Sequence, residues 1–192
     1  MVFRMGSWIE EVVARYYQKK GFFVIKNYLF YVSREESGKK AGGWSDIDVL
    51  AYKDHELHIV QCKPFLGQEK HEKVINDITR WFNLAEKHVK EDPKIGHLAS
   101  KSTIRRVLVL HTLQPKSAVN KIRERGIEVI ALHKIIAELI KIIREEVRQY
   151  AREGTGRIGK EVDVLLAFIR ELILRDIINQ RKVEELTKMD PK

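Results

Sequence analysis

Four polar side chains in the first third of the sequence are of types that can hold a divalent cation and act on a phosphate group. They are two carboxylates, an amide and an amine, namely Asp46, Asp48, Gln61 and Lys63. Carboxylate and carbonyl oxygens are the ligands that a hard cation such as Mg²⁺ prefers. A cation held by them neutralises phosphate charge and activates a water molecule. A neighbouring lysine can stabilise developing charge, or position and deprotonate that water.

The residues around these side chains predict a β-hairpin. Residues 44–52 and 56–63 alternate in polarity on either side of a short turn at residues 54–55, which is the pattern of two antiparallel strands. A turn of two or of four residues gives the same register, whereas a three-residue loop would break it. In that register two pairs lie opposite each other, with Cβ atoms about 4.5–5.5 Å apart: Asp48 with Gln61, and Asp46 with Lys63.

Strand alternation would bring these groups into one patch. Because alternate residues share a face, we expect Asp46, Asp48 and Leu50 on one face of the first strand. Leu57, Ile59, Gln61 and Lys63 should share one face of the second strand. The alternative is an ordinary surface, with Asp46 and Lys63 as an ion pair and Gln61 as a solvated residue.

The hairpin resembles the motif of the PD-(D/E)xK nuclease superfamily, which includes many restriction endonucleases and archaeal Holliday junction resolvases. Asp48 is followed by two aliphatic residues and Ala51, and the second strand ends Ile-Val-Gln61-Cys-Lys63. The pattern is most similar to the Mrr-like branch, where Gln commonly replaces the acidic residue of the (D/E)xK element. Two departures are that Ile47 stands in place of the proline, and that the Gln61 amide is a weaker metal ligand than a carboxylate.

The resemblance implies a metal-dependent endonuclease that hydrolyses DNA phosphodiester bonds. By this resemblance Asp48 and Gln61 are metal ligands for Mg²⁺, for which Mn²⁺ can substitute, and Lys63 is the catalytic lysine. The alternative function is a catalytically weak or inactive DNA-binding or scaffold module with the same fold. The neutral Gln61 side chain keeps that alternative open.

The first helix offers a further acidic residue. Apolar residues of segment 7–20 recur on one helical face, with Glu10 on the flank of that face and Glu11 directed to solvent. The superfamily often adds an acidic residue from this helix to the metal site, and the resemblance favours Glu10 as both a catalytic residue and a metal ligand. A capping box between Ser7 and Glu10 is the competing interpretation.

The remaining pattern predicts the order α-β-β-β-α-β-α-β-α, followed by more helix. A meander followed by strands that alternate with helices is typical of a mixed sheet. The predicted fold is α/β, a restriction-endonuclease-like mixed β-sheet flanked by helices with a C-terminal helical extension. We expect a nuclease-like domain over residues 1–150 and the extension over residues 151–192. The apolar helices at residues 133–150 and 160–187 predict either a homodimer interface or packing within one chain.

The charge distribution favours a polyanionic partner such as DNA. The formal net charge is +9, and residues 151–192 hold nine Lys/Arg and eight Asp/Glu, which leaves +8 in residues 1–150. The candidate DNA contacts are Lys39, Lys40, Lys70, Lys73 and Arg80, each of which could equally be an ordinary solvated charge.

Other features narrow the class of protein. No apolar run approaches the roughly 20 residues of a membrane span, and the N-terminal residues lack an apolar signal region, so we expect a cytoplasmic protein without a membrane partner. The single cysteine, Cys62, excludes an internal disulfide and a Cys-rich zinc site. Residues 154–160 spell a phosphate-loop pattern, but Glu161 follows where Ser or Thr should hold Mg²⁺.

Overall fold

The computed structural model describes residues 6–37, 40–66, 71–112, 114–152, 164–174, 178 and 180–188. These residues form two compact units, one that reaches to Leu132 and one that begins at His133. The predicted boundary at residue 150, between a nuclease-like domain and a C-terminal extension, stays a prediction. The phosphate-loop pattern at residues 154–160 lies outside the described residues.

The first unit follows the predicted order, with two additional short helices. Its elements are α1 (Gly6–Lys19), β1 (Phe23–Val32), α2 (Arg34–Ser37), β2 (Gly43–Lys53), β3 (Glu56–Lys63), α3 (His71–Glu91), α4 (Gly96–Ala99), β4 (Thr103–Leu110), α5 (Lys116–Glu124) and β5 (Ile127–Ala131). They are followed by α6 (Leu132–Arg152), α7 (Val164–Leu174) and α8 (Gln180–Lys188).

Five strands form one mixed sheet in the order β1-β2-β3-β4-β5. Strands β1, β2 and β3 are an antiparallel meander, whereas β4 and β5 add to it in parallel. The parallel strands are reached through helices, because a parallel neighbour requires a crossover connection. A mixed sheet flanked by helices, with further helices at the C-terminus, matches an α/β restriction-endonuclease-like fold, and the predicted fold class is confirmed.

Helices α1 and α3 lie on opposite faces of β3. The hydroxyl of Tyr17 on α1 is 3.1 Å from Nδ1 of His58. The next residue of β3, Ile59, is fully buried in a core that includes Ile75 and Phe82 of α3. Because alternate residues of a strand face opposite sides, the odd-numbered residues of β3 face α3 and the even-numbered ones face α1.

The turn between β2 and β3 is a tight one of two residues. Asp54 and His55 have φ angles of 47° and 64°, as a type I′ hairpin turn requires at both central positions. Lys53 pairs with Glu56 across it. Of the two turn lengths that give the predicted register, two and four residues, the structure has the two-residue turn.

The structure adds two short helices and divides one predicted helix. The polar segment at residues 33–43 contains α2, which begins with a capping box: the Glu36 amide donates to Ser33 Oγ at 3.2 Å, and the Ser33 amide donates to Glu36 Oε2 at 3.0 Å. The segment at residues 93–102 contains α4. The single apolar helix expected over residues 160–187 was wrong, because α7 and α8 are separate helices.

The second unit has a small core of its own. Ala137 and Ile140 of α6 and Val183 of α8 are buried together, and apolar residues of α7 pack against them. Part of the apolar surface of these helices is thus covered within the chain, while the homodimer through them stays a prediction. Within the part of the chain that the structure describes, no helix combines the length and the apolar character that crossing a bilayer requires.

Candidate functional site

Strands β2 and β3 separate at the position of the candidate residues. Their pairing runs from Lys53 and Glu56 at the turn to Val49 and Val60. Beyond this pair β2 continues only beside β1, and β3 continues only beside β4. The predicted register is therefore correct for the paired residues. The two predicted pairs, Asp48 with Gln61 and Asp46 with Lys63, lie beyond the last pair, in a gap that opens between the strands.

The Asp48 carboxylate occupies this gap. Its Oδ2 accepts a hydrogen bond of 2.5 Å from the backbone N–H of Cys62, a group that a continued β-ladder would have paired with the backbone of β2. Asp48 is only 9% exposed. The pKa of this carboxyl is raised to about 7, above all by burial and against the lowering effect of the Cys62 hydrogen bond. The charges of Glu10 and Asp46 contribute smaller increases to that value, while Lys63 lowers it.

The alternation of β2 changes at Asp48. Ser45 accepts a hydrogen bond of 3.1 Å from the Trp81 indole of α3, and Ile47 is buried in the core on that side. Leu50 also belongs to that core, although it is three residues from Ile47. On the neighbouring strand Asn27 has a left-handed φ of 52°, in the register position opposite Asp48.

One predicted face is therefore wrong. Since Ser45 and Ile47 point toward α3, Asp46 points to the other side, where it is exposed. Asp46, Asp48 and Leu50 do not share a face. The irregularity at Asn27 and Asp48 lies in the pairing of two strands, which the pattern of one strand does not reveal.

Gln61 and Lys63 point toward α3. Their parallel neighbours on β4 are Leu108 and Leu110, both buried in the core on that side. The Oε1 atom of Gln61 is buried without a hydrogen-bond partner. Lys63 is half-buried, and its ammonium forms no hydrogen bond or ion pair with any described residue. Both residues line a cavity of about 410 Å³ between the end of β3 and α3.

Glu10 approaches the site from α1. It is half-buried, and its charge raises the pKa of both Asp48 and the Cys62 thiol, after the larger effect of burial. Glu11 forms ion pairs with Arg15 at 2.7 Å and with Lys26. Of the two acidic residues, Glu10 is thus the one that acts on Asp48. The Ser7 side chain, its alternative capping partner, lies outside what the structure describes.

The donor set suits a hard cation, although it is small. Among the described residues no group of three His, Cys, Asp or Glu side chains is placed to hold a metal ion. Of the three predicted ligands, Asp48 offers a buried carboxylate, Gln61 a buried amide oxygen without a partner, and Glu10 a half-buried carboxylate. A buried polar atom without a partner is costly, and a cation that accepts carboxylate and amide oxygens would satisfy it. The chemistry of these oxygens is therefore of the kind that the implied Mg²⁺ or Mn²⁺ requires.

The predicted DNA contacts are only partly covered by the described residues. Lys40, Lys73 and Arg80 are exposed, and Arg80 also donates to the backbone carbonyl of Glu36. Lys39 and Lys70 lie outside the described residues. All five stay predictions.

Sequence reasoning missed two features of the site. One is the backbone N–H of Cys62, which holds Asp48 and which only strand separation frees. The other is the set of α3 residues that face the cavity, among them Asp77 and Trp81. The sequence contained a signal for the second feature. Asp77 and Trp81 are four residues apart in a helix, and residues at this spacing lie on the same helical face.

Two solved structures are similar to this chain over nearly its whole length. One, a protein of unknown function designated AF1548, has a TM-score of 0.48 and 20% identity, covering 95% of this chain and 89% of that chain. The other is the small subunit (R.BspD6I2) of the heterodimeric restriction endonuclease R.BspD6I, with a TM-score of 0.43 and 13% identity, covering 96% and 88%. Both TM-scores lie below 0.5, so neither likeness assigns an activity to this chain. No protein-family model matches the sequence, and no curated protein matches it.

Proposed function

We propose that this chain is a metal-dependent endonuclease of the PD-(D/E)xK class that hydrolyses DNA phosphodiester bonds. The observation that carries the proposal is the juxtaposition at the separation of β2 and β3. There the buried Asp48 carboxylate accepts a hydrogen bond from the backbone of Cys62, the residue between Gln61 and Lys63. The Gln61 oxygen is buried without a partner, and the Lys63 ammonium has no partner among the described residues. Asp48 and Gln61 would hold Mg²⁺ or Mn²⁺, with Glu10 assisting from α1.

Each residue has a role that follows from its position. The Cys62 N–H fixes one oxygen of Asp48, and the other oxygen forms no hydrogen bond with a described residue. A bound divalent cation would supply phosphate neutralisation and water activation. Lys63 directs its ammonium to the same region, where it can stabilise negative charge on the phosphate or take the proton of the attacking water. The Glu10 charge favours the retention of a cation.

DNA as the substrate is supported by charge. Residues 1–150 carry +8 of the formal net charge of +9, and a basic surface attracts a phosphate backbone. Lys40, Lys73 and Arg80 are exposed on this part of the chain, where they can contact phosphates.

One observation favours a second candidate, a DNA-binding module without strong catalysis. The metal site would have a neutral amide in place of a second carboxylate, and the described residues form no cluster of three acidic, His or Cys ligands. Both features weaken metal affinity relative to a site with two or more carboxylates.

A cleavage assay distinguishes the two candidate functions, nuclease and DNA-binding module. Linear, branched and single-stranded DNA are incubated with the protein in Mg²⁺, Mn²⁺ or EDTA, and the products are resolved on gels. We expect products with either metal and none in EDTA. Lys63→Ala should lower the cleavage rate about 10²–10⁴-fold and change DNA affinity little, because Lys63 acts on the reacting phosphate.

A matched control is Lys101→Ala, which removes an exposed lysine from the turn before β4. It should cleave at the wild-type rate. If Lys63→Ala cleaves DNA at the wild-type rate, the assignment of Lys63 to the active site is wrong. DNA binding without cleavage by the wild-type protein would favour the binding module.

A further inference from the structure

Apart from Gln61 and Lys63, the cavity that these two residues line has walls that do not suit a phosphate. Its apolar lining comes from Phe65 and Leu66 after β3, and from Val74, Ile78 and Trp81 of α3. These α3 positions are three or four residues apart and so form one face of the helix. A phosphate needs hydrogen-bond donors and positive charge, whereas these side chains offer carbon surface.

The aromatic wall of the cavity is held in place. Nε1 of Trp81 donates a hydrogen bond of 3.1 Å to Ser45 on β2, and its ring makes an edge contact with Phe82, with ring centroids 4.9 Å apart. Phe65 stands at the mouth of the cavity, where 56% of it is exposed. A flat ring entering between Phe65 and Trp81 would therefore meet one fixed aromatic side chain and one exposed one.

Asp77 supplies the polar group on the α3 side of the cavity. It is exposed, and its carboxylate forms no hydrogen bond or ion pair with any described residue. An ionised carboxylate only accepts hydrogen bonds, so it repels a phosphate and attracts a ligand edge that carries N–H groups. Two such groups side by side match its two oxygens.

We infer that this cavity receives an unpaired nucleobase of the DNA, preferentially guanine, next to the phosphate at the site. This inference rests on the proposed function, since Gln61 and Lys63 line the same cavity. Guanine presents adjacent N–H donors on its Watson–Crick edge, whereas thymine presents one donor between two acceptors. A pocket with apolar and aromatic walls that reads the Watson–Crick edge is how enzymes hold an extruded base. The substrate class is thus DNA with an unpaired or extrudable base beside the scissile bond.

The first test is a binding preference measured with wild-type protein in EDTA. Fluorescence anisotropy compares duplexes that carry one unpaired guanine, inosine or thymine with the fully paired duplex. We expect the duplex with an unpaired guanine to bind about tenfold more tightly than the duplex with an unpaired thymine. The duplex with inosine, which lacks the 2-amino group, should bind nearly as weakly as the duplex with thymine. Asp77→Asn should abolish the guanine preference. Glu91→Gln, which removes an exposed carboxylate from the same helix, should retain it.

The second test measures whether the base is enclosed. A 2-aminopurine at the unpaired position should be protected from quenching by acrylamide when the protein binds. Phe65→Ala should lose this protection because it removes the wall at the mouth of the cavity. Phe23→Ala, which truncates an aromatic residue that is 69% exposed on β1, should keep it.

The outcomes separate this inference from the proposed function. Equal guanine preference in the Asp77 and Glu91 variants, or equal quenching in the Phe65 and Phe23 variants, would overturn the nucleobase site. Metal-dependent cleavage of DNA with no preference for an unpaired guanine would overturn it as well, while keeping the nuclease. Absence of both binding and cleavage would overturn both.

Discussion

At the scale of single residues, the site combines side chains that are unfavourable without a ligand. Asp48 is a carboxylate in a buried gap between two strands, and Gln61 places an amide oxygen where no described group donates to it. Burying such groups without a partner costs free energy. The effect of these two residues on the stability of the protein can therefore be measured without an assay of activity.

The Asp48 carboxyl should make stability depend on pH. Its pKa is raised from 3.8 to about 7 by burial, so the folded protein holds a proton that the unfolded chain releases. The free energy of unfolding should therefore fall as the pH rises from about 4 to about 7, by a few kcal/mol. Asp48→Asn removes this cost and should unfold at higher urea concentration than wild type at pH 8 in EDTA.

The comparison at low pH completes that test. Near pH 4 the wild-type carboxyl is protonated in the folded protein, so the advantage of Asp48→Asn should vanish. Asp77→Asn, which changes an exposed carboxylate, should match wild type at both pH values. Equal stability of Asp48→Asn and wild type at pH 8 would contradict the raised pKa.

Gln61 should set the metal requirement. A carboxylate at this position would add a unit charge near the cation, an interaction of roughly 4 kcal/mol at 4 Å and an effective dielectric of 20, much of it offset by desolvation and repulsion from Asp48. Gln61→Glu should therefore lower the Mg²⁺ concentration for half-maximal activity, and Gln61→Ala should raise it. The Glu variant should also gain more thermal stability from Mg²⁺ than wild type does.

Two results would change that interpretation. Mg²⁺ titrations of both variants that coincide with wild type would make Gln61 an ordinary polar residue. Cleavage that is absent in wild type and present in Gln61→Glu would mark the protein as a nuclease that has lost activity, and would favour the DNA-binding module.

At the scale of elements, the tight turn between β2 and β3 determines where the site falls. It fixes the register of the paired residues, while the irregular pairing at Asn27 and Asp48 ends the ladder. The site forms at the point where β2 follows β1 and β3 follows β4. A substitution in the turn should therefore change the stability of the protein. An insertion or deletion in the turn should shift the register and displace the site residues.

The turn itself offers a stabilising substitution. His55 adopts a left-handed φ of 64°, a region that costs a residue with a side chain roughly 1–2 kcal/mol and that glycine tolerates freely. His55→Gly should raise the melting temperature by about 2–4 °C for each kcal/mol gained, as measured by circular dichroism. His97→Gly, in the helix α4, should lower it. A decrease for His55→Gly would contradict the turn geometry.

At the scale of the whole molecule, charge separates the two parts of the chain. Residues 1–150 carry +8 and residues 151–192 carry +1. The last helices instead offer apolar side chains that pack on one another. DNA affinity should therefore depend on basic residues of the first part.

The salt dependence of DNA binding measures this directly. The logarithm of the binding constant should fall with the logarithm of salt concentration, with a slope of about −0.9 for each phosphate neutralised. Replacing Lys40, Lys73 and Arg80 together by Ala should make the slope shallower by about 3. Replacing three exposed basic residues of the second part, Arg152, Arg181 and Lys188, should leave it unchanged. A wild-type slope near zero would exclude DNA as the principal partner.

The sequence by itself determined the order of the elements and the register of the hairpin. These depend on local causes: the period of apolar residues, and a turn whose length fixes which residues face each other. Lys53 and Glu56 pair as that turn requires. The resemblance selected Asp48, Gln61 and Lys63 from the same short segment, and their catalytic roles stay predictions.

Only the tertiary structure decided how these residues are presented. Asn27 on β1 disturbs the pairing opposite Asp48, which reverses the alternation of β2 and turns Asp46 away from α3. The separation of β2 from β3 frees the Cys62 N–H for Asp48. The packing of α3 against β3 forms the cavity that Asp77 and Trp81 line. Each of these depends on contacts between segments distant in sequence, whose side chains no periodicity within one segment can place.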